Sequence, residues 1–228
     1  MSLILQIETA TTVCSVALSE NGRVLAYQEV QQRNVHAEVI TLFIDEVLKT
    51  AGKQYSELSA VAVSCGPGSY TGLRIGISVT KGLCFSLDIP FIAIETLEAM
   101  AGGITTEGAV DSEVLLCPMI DARRMEVFTA VFDAKGNRIQ PTSAEIIDEN
   151  SFSTLLKTNR IVFFGDGAAK CSEILGANTN AQIIVDFHNS ARYLTRRATE
   201  KFIAQDFEDT AYFEPYYLKD FIAGKKSG

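Results

Sequence analysis

The sequence contains no tryptophan, only two histidines and no long apolar run. Charged residues such as Asp45, Glu46, Arg74 and Lys81 interrupt the apolar runs well short of the roughly 20 residues that a membrane-spanning helix needs. The N-terminus lacks a basic leader followed by a small-residue cleavage site. We therefore expect no signal peptide, no membrane contact and a cytoplasmic location.

Positive charge is also in short supply. The chain has 20 Lys and Arg against 28 Asp and Glu, which gives a formal net charge of −8. Because nucleic-acid binding depends heavily on cations that neutralise phosphates, we expect any relation to RNA to be indirect. Apolar residues make up 47% of the 228 positions, which excludes disorder and suffices for one large domain or two small ones.

Residues that could hold a metal are few. His36 and His188 are too far apart in sequence to indicate a metal site, and we predict none. The cysteines are odd in number, scattered and never arranged as C-x-x-C, which predicts buried free thiols in a reducing compartment. They are Cys14, Cys65, Cys84, Cys117 and Cys171.

The hydrophobic periodicity of the first hundred residues predicts the order β-β-β-α-β-α-β, a mixed sheet with helices packed on it. Strands are predicted at 3–8, 13–18, 24–30, 58–65 and 91–94, and helices at 35–50 and 71–87. Asn21–Gly22 is typical of a type I′ hairpin turn. Asn34 is the predicted N-cap of the first helix, and Gly52 lies just past its end.

The glycine-rich stretch at 101–108 predicts a hinge or a boundary between two subdomains with similar strand-rich openings. The first, 1–103, carries the two helices above, and the second is 104–228. In the second we predict strands at 114–120, 125–132 and 161–164, and helices at 151–157, 166–175 and 190–205. The final segment, about 206–228, is expected to pack back on the first subdomain through the aromatic residues at 214–219.

The segment 66–76 lies between a predicted buried strand and a helix and contains four glycines. Glycines at such a junction allow backbone N–H groups to bind a phosphate near the helix N-terminus. The segment matches no known phosphate loop, however, because no Gly-Lys-Ser/Thr follows. Gly68, Gly72 and Gly76 also recur every four residues on one helix face, and we favour close helix packing as their role.

Two carboxylates follow predicted strands. Glu8 could hold magnesium through water, with Thr9, Thr11 and Thr12 binding phosphate, or it could simply accept hydrogen bonds from the turn amides. Asp121 precedes two arginines, and this pattern fits either an Asp–Arg pair that orients a ligand or a hairpin held by its own ion pair. No Gly-x-Ser-x-Gly elbow accompanies the two histidines, for which we predict surface or capping roles.

Five separated motifs resemble one family in the same order. They are the opening 4–18, His36-Ala37-Glu38 before an apolar helix, the segment 66–76 with Lys81-Gly82-Leu83, the segment 120–123 and the segment 215–218. The family is TsaB, also called YeaZ, and the resemblance runs from residue 3 to about 219. It implies an α/β actin-like ATPase (ribonuclease-H-like) fold with two similar subdomains, each a mixed sheet flanked by helices.

The resemblance also implies a role in forming N6-threonylcarbamoyladenosine next to the tRNA anticodon, for tRNAs that read ANN codons. In that pathway the catalytic paralogue TsaD transfers the threonylcarbamoyl group, TsaE is an ATPase, and TsaB is a required non-catalytic partner. TsaD carries a His-x-x-x-His metal pair where this sequence has Thr96 and Met100, and these side chains cannot replace two imidazoles. We therefore expect a scaffold with no catalytic residues, and not an enzyme.

Helix 35–50 has more than one apolar stripe, and helix 71–87 has glycines for close approach. We expect these two helices to bind TsaD, and to form a homodimer when TsaD is missing. The predicted interface residues are His36, Val39, Ile40, Phe43, Val47, Tyr70, Gly72, Leu73, Gly76 and Ile77. The alternative is a nucleotide-binding ATPase-type enzyme with weak ATP or ADP binding in a cleft formed by Glu8, Thr9, Thr11, Gly66, Gly68 and Asp121. A peptidase has neither a nucleophile nor metal geometry to support it.

Overall fold

A computed structural model describes residues 2–106 and 113–219 of the chain. Ten strands lie in two sheets: β1 Leu3–Glu8, β2 Val13–Glu20, β3 Arg23–Gln31, β4 Ala60–Ser64, β5 Phe91–Ile94, β6 Leu115–Asp121, β7 Glu126–Asp133, β8 Arg138–Ile146, β9 Ile161–Phe164 and β10 Ala181–Ile184. The helices are α1 His36–Ala51, α2 Tyr70–Leu87, α3 Thr96–Thr106, α4 Ser153–Leu156, α5 Asp166–Lys170, α6 Ser172–Leu175 and α7 Thr195–Ala204. None of the described helices is both long enough and apolar enough to cross a membrane.

The first sheet has the strand order β3-β2-β1-β4-β5. Strands β1, β2 and β3 form an antiparallel meander, whereas β4 and β5 run parallel to β1. The Asn21–Gly22 turn has positive φ at both residues, as a type I′ hairpin requires. Strands β1, β4 and β5 are buried along their whole length, which explains their nearly continuous apolar sequences.

Different elements pack on the two faces of this sheet. Helices α1 and α2 pack on one face, where residues such as Ile40 and Ile77 contact Leu5 and Val63 in one apolar cluster. Helix α1 begins after Val35, not after Asn34 as predicted, and it ends at Gly52, which has a left-handed backbone conformation as expected for a C-cap. The opposite face of the sheet is turned towards the second half of the chain.

The second sheet repeats the topology of the first. Its order β10-β9-β6-β7-β8 becomes that of the first sheet when β6 to β10 are read as strands one to five. Strands β6, β7 and β8 are antiparallel, and β9 and β10 are parallel to β6. The sequence did not predict β8 and β10, because β8 is largely exposed and carries Pro141, and β10 is a four-residue edge strand.

The two halves exchange helices. Helix α3 follows the first sheet but contributes Leu97, Met100 and Ile104 to the core of the second. The segment that ends in α7 comes from the second half, yet Leu194 and Ala198 pack on the first sheet. Helices from both halves therefore cover the sheet faces through which the halves meet.

The predicted hinge at 101–103 is wrong, because these residues lie inside α3. The glycine at 103 serves close packing: a Cβ there would lie 2.4 Å from the Tyr193 ring. Residues 107–108 of the predicted boundary lie outside the described residues. The predicted helix at 166–175 divides into α5 and α6, and the one at 190–205 begins with a 3₁₀ turn, Ala191–Leu194, before α7.

Candidate functional site

The turn between β1 and β2 is sealed by the N-terminal part of α2 and the loop before it. A Cβ added at Gly72 would lie 2.1 Å from the Thr9 carbonyl oxygen, and one at Gly76 would lie 2.3 Å from the Thr9 hydroxyl. A Cβ at Gly68 would lie 2.4 Å from the Ala10 carbonyl oxygen. The expected close packing of this glycine face is confirmed, but it contacts a turn of the same chain and not another helix.

The glycine loop is a poor fit for a phosphate, because the amides of Gly66, Ser69 and Gly72 already donate to acceptors of the same chain. The Ser69 N–H donates to the Ala10 carbonyl at 2.7 Å. The Gly72 N–H donates to the Ser69 hydroxyl at 3.2 Å, and the Gly66 N–H donates to the Thr96 hydroxyl at the same distance. Carbonyl oxygens face the glycines where a phosphate would have to lie, so the geometry disfavours a bound nucleotide at this loop.

Glu8 lies at the end of β1, fully buried, and faces the second half of the chain. Its carboxylate accepts a hydrogen bond from the Ala10 N–H at 2.6 Å, which confirms the interpretation that it satisfies a turn amide. Burial raises the pKa of Glu8 to about 7. The Ser64 hydroxyl and the Asn189 amide face the carboxylate, but neither forms a hydrogen bond of normal geometry within the described residues.

The same turn is held from the side of α1 by His36. Its Nε2 lies 3.0 Å from the Thr11 carbonyl oxygen and 3.2 Å from that of Val13. The predicted surface or capping role of His36 is wrong, because the ring is buried and bonds the turn. The same prediction is confirmed for His188, which is exposed.

A segment near the C-terminus covers the glycine loop from outside and reaches both halves. The Tyr216 N–H donates to the Cys65 carbonyl at 2.8 Å, and the Tyr217 hydroxyl accepts from Arg74 on α2 at 3.0 Å. Lys219 then forms an ion pair with Glu126 at the start of β7. These contacts confirm the predicted aromatic anchor at 214–219 and show that it crosses from one half to the other.

Asp121 ends β6 and corresponds in topology to Glu8 at the end of β1, but it is exposed. It forms an ion pair with Lys170 and accepts a hydrogen bond from the Arg123 backbone N–H at 2.8 Å. The predicted pairing of Asp121 with the arginine side chains of its own hairpin is therefore wrong. Asp166 accepts from the Asp121 N–H at 2.9 Å, and burial raises its pKa.

The predicted nucleotide cleft is thus not assembled as one site. Glu8, Thr9, Gly66 and Gly68 lie around the sealed turn, and Thr11 uses its hydroxyl to accept a hydrogen bond from Val13. Asp121 lies on the second sheet, and no hydrogen bond or ion pair joins it to the other five within the described ranges. Sequence analysis missed Ser64 and Asn189, since nothing in the local sequence of either residue indicates proximity to Glu8.

An open apolar groove of about 530 Å³ runs between α1 and α2 on the outer surface. We call it the α1–α2 groove. Most of its exposed surface is apolar, because the outward sides of both helices carry small or apolar side chains around one arginine. It is lined by Ala37, Ile40, Thr41, Tyr70, Thr71, Arg74, Ile75, Ser78 and Val79.

The predicted interface residues lie differently from what the sequence indicated. Ile40 and Tyr70 line the groove, although Ile40 itself is buried, and Val39 and Phe43 are half-buried against the core of the first sheet. The remaining six are buried within the chain and offer no free surface: His36, Val47, Gly72, Leu73, Gly76 and Ile77. The face of α2 assigned to a partner is therefore its inner face, and the outward stripe Thr71, Ile75 and Ser78 was missed although it follows helical spacing.

The residues at the positions of the expected histidine pair have structural roles. Thr96 is fully buried and accepts the Gly66 hydrogen bond, whereas Met100 packs in the core of the second sheet. Within residues 2–106 and 113–219, no group of three or more His, Cys, Asp or Glu side chains is placed to hold a metal ion. All five cysteines are free thiols, as the sequence predicted, and four of them are buried, whereas Cys65 is only half-buried.

The two mixed sheets share one topology, with the strand order 3-2-1-4-5 when the strands of each sheet are numbered along the chain. This repeated topology, with helices between the sheets, defines an actin-like ATPase fold. A glucomannokinase from Arthrobacter sp. strain KM that uses inorganic polyphosphate or ATP shares this fold, with a TM-score of 0.50 over 90% of this chain and all of that one, at 13% identity. The chain belongs to the TsaB (YeaZ) family. The family model "TsaD: tRNA N6-adenosine threonylcarbamoyltransferase" matches residues 27–223, so the family is related to that transferase.

Curated relatives and a solved structure agree with this assignment. The tRNA threonylcarbamoyladenosine biosynthesis protein TsaB of Haemophilus influenzae is 32% identical over 98% of this chain and 96% of its own length. That of Escherichia coli is 39% identical over 60% of this chain, and the match spans 57% of the E. coli protein. YeaZ from Pseudomonas aeruginosa superposes with a TM-score of 0.78 at 25% identity, covering 96% of this chain and all of that one.

Proposed function

We propose that the chain is a non-catalytic activating subunit of TsaD in the formation of N6-threonylcarbamoyladenosine in tRNA. The names of the curated TsaB relatives support the pathway, and the geometry of the site supports the role we propose within it. The observation that carries the proposal is the combination of a sealed β1–β2 turn with an open apolar groove on the outer surface. Such a protein offers surface for a partner on its outer side, whereas the turn where a substrate cleft was expected is filled by its own chain.

The α1–α2 groove is the surface we assign to TsaD. Its volume of about 530 Å³ and largely apolar lining suit helical side chains of a partner better than a charged small molecule. Arg74 at the edge of the groove donates a hydrogen bond to the Tyr217 hydroxyl, and its guanidinium carbon lies 4.2 Å from the Tyr70 ring centroid. The arginine side chain is therefore already held in place in the unbound chain. A second copy of this chain presents the same surface, and we propose that it occupies the groove when TsaD is absent.

The lack of a catalytic role is supported by the chemistry of the described residues. The amides of Gly66, Ser69 and Gly72 donate within the chain, Thr96 accepts one of these hydrogen bonds, and Met100 packs in the core of the second sheet. We propose accordingly that TsaD supplies the transfer chemistry and most of the tRNA contact, and that TsaE joins the pair. A nucleotide-dependent enzyme remains the competing hypothesis, with weak ATP or ADP binding as its mildest form.

Co-purification with TsaD tests the groove directly. Thr41→Glu and Ser78→Glu each place a charge in the groove at an exposed position, so the fold should survive while an apolar contact is lost. We expect each variant to recover about tenfold less TsaD than the unmodified chain does, at an unchanged melting temperature. The rate of tRNA modification in a reconstituted reaction should fall by the same factor. A change at Gly72 would not be informative, because that glycine packs inside the chain.

Ser86→Glu is the matched control, since Ser86 is exposed on the same helix and lies outside the groove. It should bind TsaD normally. If Ser86→Glu loses as much binding as the groove variants, or if the groove variants bind normally, the TsaD surface is elsewhere. Tight Mg-ATP binding with turnover by the isolated chain, measured by calorimetry and phosphate release, would reject the non-catalytic role.

A further inference from the structure

The turn between β6 and β7 holds two neighbouring arginines in an unusual backbone conformation. Arg123 has φ +76° and Arg124 has φ +51°, and no other neighbouring pair of non-glycine residues in the described chain has positive φ. Glycine and asparagine fit such positions without strain, whereas an arginine there costs about 1 kcal/mol or more. Residues kept at strained positions commonly serve function through their side chains.

Both guanidinium groups are free in the part of the chain that the structure describes. Their side chains are exposed and form no hydrogen bond or ion pair there. The nearest carboxylates are engaged elsewhere, because Asp121 pairs with Lys170 and Glu126 pairs with Lys219. The hairpin therefore presents two unneutralised cations although the chain as a whole carries a net charge of −8.

The position of the turn favours a ligand. It lies beyond the carboxyl ends of β6 and β9, the edge of a parallel arrangement at which α/β proteins bind ligands. The corresponding turn of the first sheet is sealed by α2, but α5, the helix that follows β9, is only five residues long and leaves the arginines exposed. Because both arginine side chains are exposed, a ligand that extends over the surface can contact the two together.

We propose that Arg123 and Arg124 bind backbone phosphates of RNA. Guanidinium groups donate paired hydrogen bonds to phosphate oxygens. Neighbouring Cα atoms are about 3.8 Å apart, so the two side chains can contact one phosphate or two successive ones. The choice of RNA over another polyanion rests on the proposed role in tRNA modification, and it gives this chain a direct contact where the sequence predicted only an indirect one.

The test is binding of an unmodified tRNA transcript to the isolated full-length chain, followed by fluorescence anisotropy between 50 and 200 mM salt. We expect the double variant Arg123→Gln with Arg124→Gln to bind about tenfold more weakly at the lowest salt, and to lower the salt dependence of log K by about two units of slope. The double variant Arg23→Gln with Arg160→Gln removes the same charge from exposed positions on other parts of the surface. It should bind as the unmodified chain does.

Equal losses in both double variants would mean that general charge, and not the hairpin, sets RNA affinity, and would overturn the proposal. Failure of the unmodified chain to bind the transcript at 50 mM salt would also overturn it. If Mg-ATP binding depends on the two arginines and RNA binding does not, the phosphate belongs to a nucleotide and the RNA assignment is wrong. Co-purification with TsaD does not involve the hairpin, so these outcomes are distinguishable from failure of the groove proposal.

Discussion

The turn after the first strand of each sheet has the same place in the topology but a different environment in each half. In the first half the turn at 9–12 packs beneath Gly68, Gly72 and Gly76, and its residues Thr9 and Ala10 are fully buried. In the second half the turn at 122–125 is exposed at both arginines and lies beside a very short helix. The comparison teaches that the edge of a sheet that commonly serves ligands has become packed core in one half and has remained accessible surface in the other.

The largest effect is expected from breaking the seal of the first turn. Gly72→Ala places a Cβ about 2.1 Å from the Thr9 carbonyl, and because the obstacle is backbone, α2 must shift. We expect a loss of about 3 kcal/mol or more in the free energy of unfolding. Urea denaturation followed by circular dichroism measures it, since the chain has no tryptophan for fluorescence.

Gly82→Ala is the control on the same helix, because a Cβ at Gly82 meets nothing within 4 Å. Alanine favours helix over glycine, so this variant should be more stable by up to about 1 kcal/mol. Two Gly→Ala changes on one helix should thus have opposite signs. Equal stabilities would contradict the close contact between α2 and the turn.

A second prediction concerns Glu8, the buried carboxyl at the end of the first strand of the first sheet. Glu8 has a pKa of about 7 in the folded protein against 4.5 for an unperturbed glutamate, so the folded state holds the proton more tightly. Stability conferred by this group is full below pH 4.5 and is lost as the pH rises through 7. We expect the unmodified chain to lose about 2 kcal/mol between pH 5 and pH 7 from this group, and little more above pH 8.

Glu8→Gln cannot titrate but can still accept the Ala10 hydrogen bond. The difference in unfolding free energy between the variant and the unmodified chain should therefore vary with pH by that amount, while other titrating groups cancel. Parallel pH profiles for the two proteins would show that Glu8 is charged when folded, and that the first turn is less buried than its geometry indicates.

The smallest effect is expected at the accessible turn, and it has the opposite direction. Arg124→Gly relieves the positive φ and should stabilise the protein by about 1 kcal/mol relative to Arg124→Ala, which keeps the Cβ. Both variants lack the guanidinium, so both should bind RNA more weakly. Equal unfolding free energies for Arg124→Gly and Arg124→Ala would show that the positive φ at this turn carries no strain.

Much of the fold could be predicted because the signals are local. The continuous apolar runs of β1, β5 and β9 gave strands whose ends agree with the structure. The environment of Glu8 could not be predicted, since Asn189 is far from it in sequence and approaches it only in the folded chain. A fully buried strand has a continuous apolar sequence, whereas an exposed edge strand has no clear hydrophobic pattern. The edge strand β8 is mostly exposed and was missed for this reason.

The partner surface shows a second limit of sequence reasoning. Both sides of α2 are rich in small or apolar residues, with Leu73 and Ile77 on one side and Ile75 and Val79 on the other. Periodicity finds both stripes but does not say which one faces the sheet. Glycine spacing correctly identified a close contact, yet whether its partner belonged to the same chain or to another could be decided only in three dimensions.

The exchange of helices between the halves sets the order in which the molecule can be completed during synthesis. The apolar face formed by Ile4, Ile92 and Ile94 is covered by Leu194 and Ala198, which leave the ribosome about a hundred residues later. Until then the nascent first half exposes that face and is prone to aggregate. The second sheet does not wait in the same way, because Leu97, Met100 and Ile104 of α3 precede its strands in the chain. A chain that terminates before residue 194 therefore lacks the cover of the first sheet only.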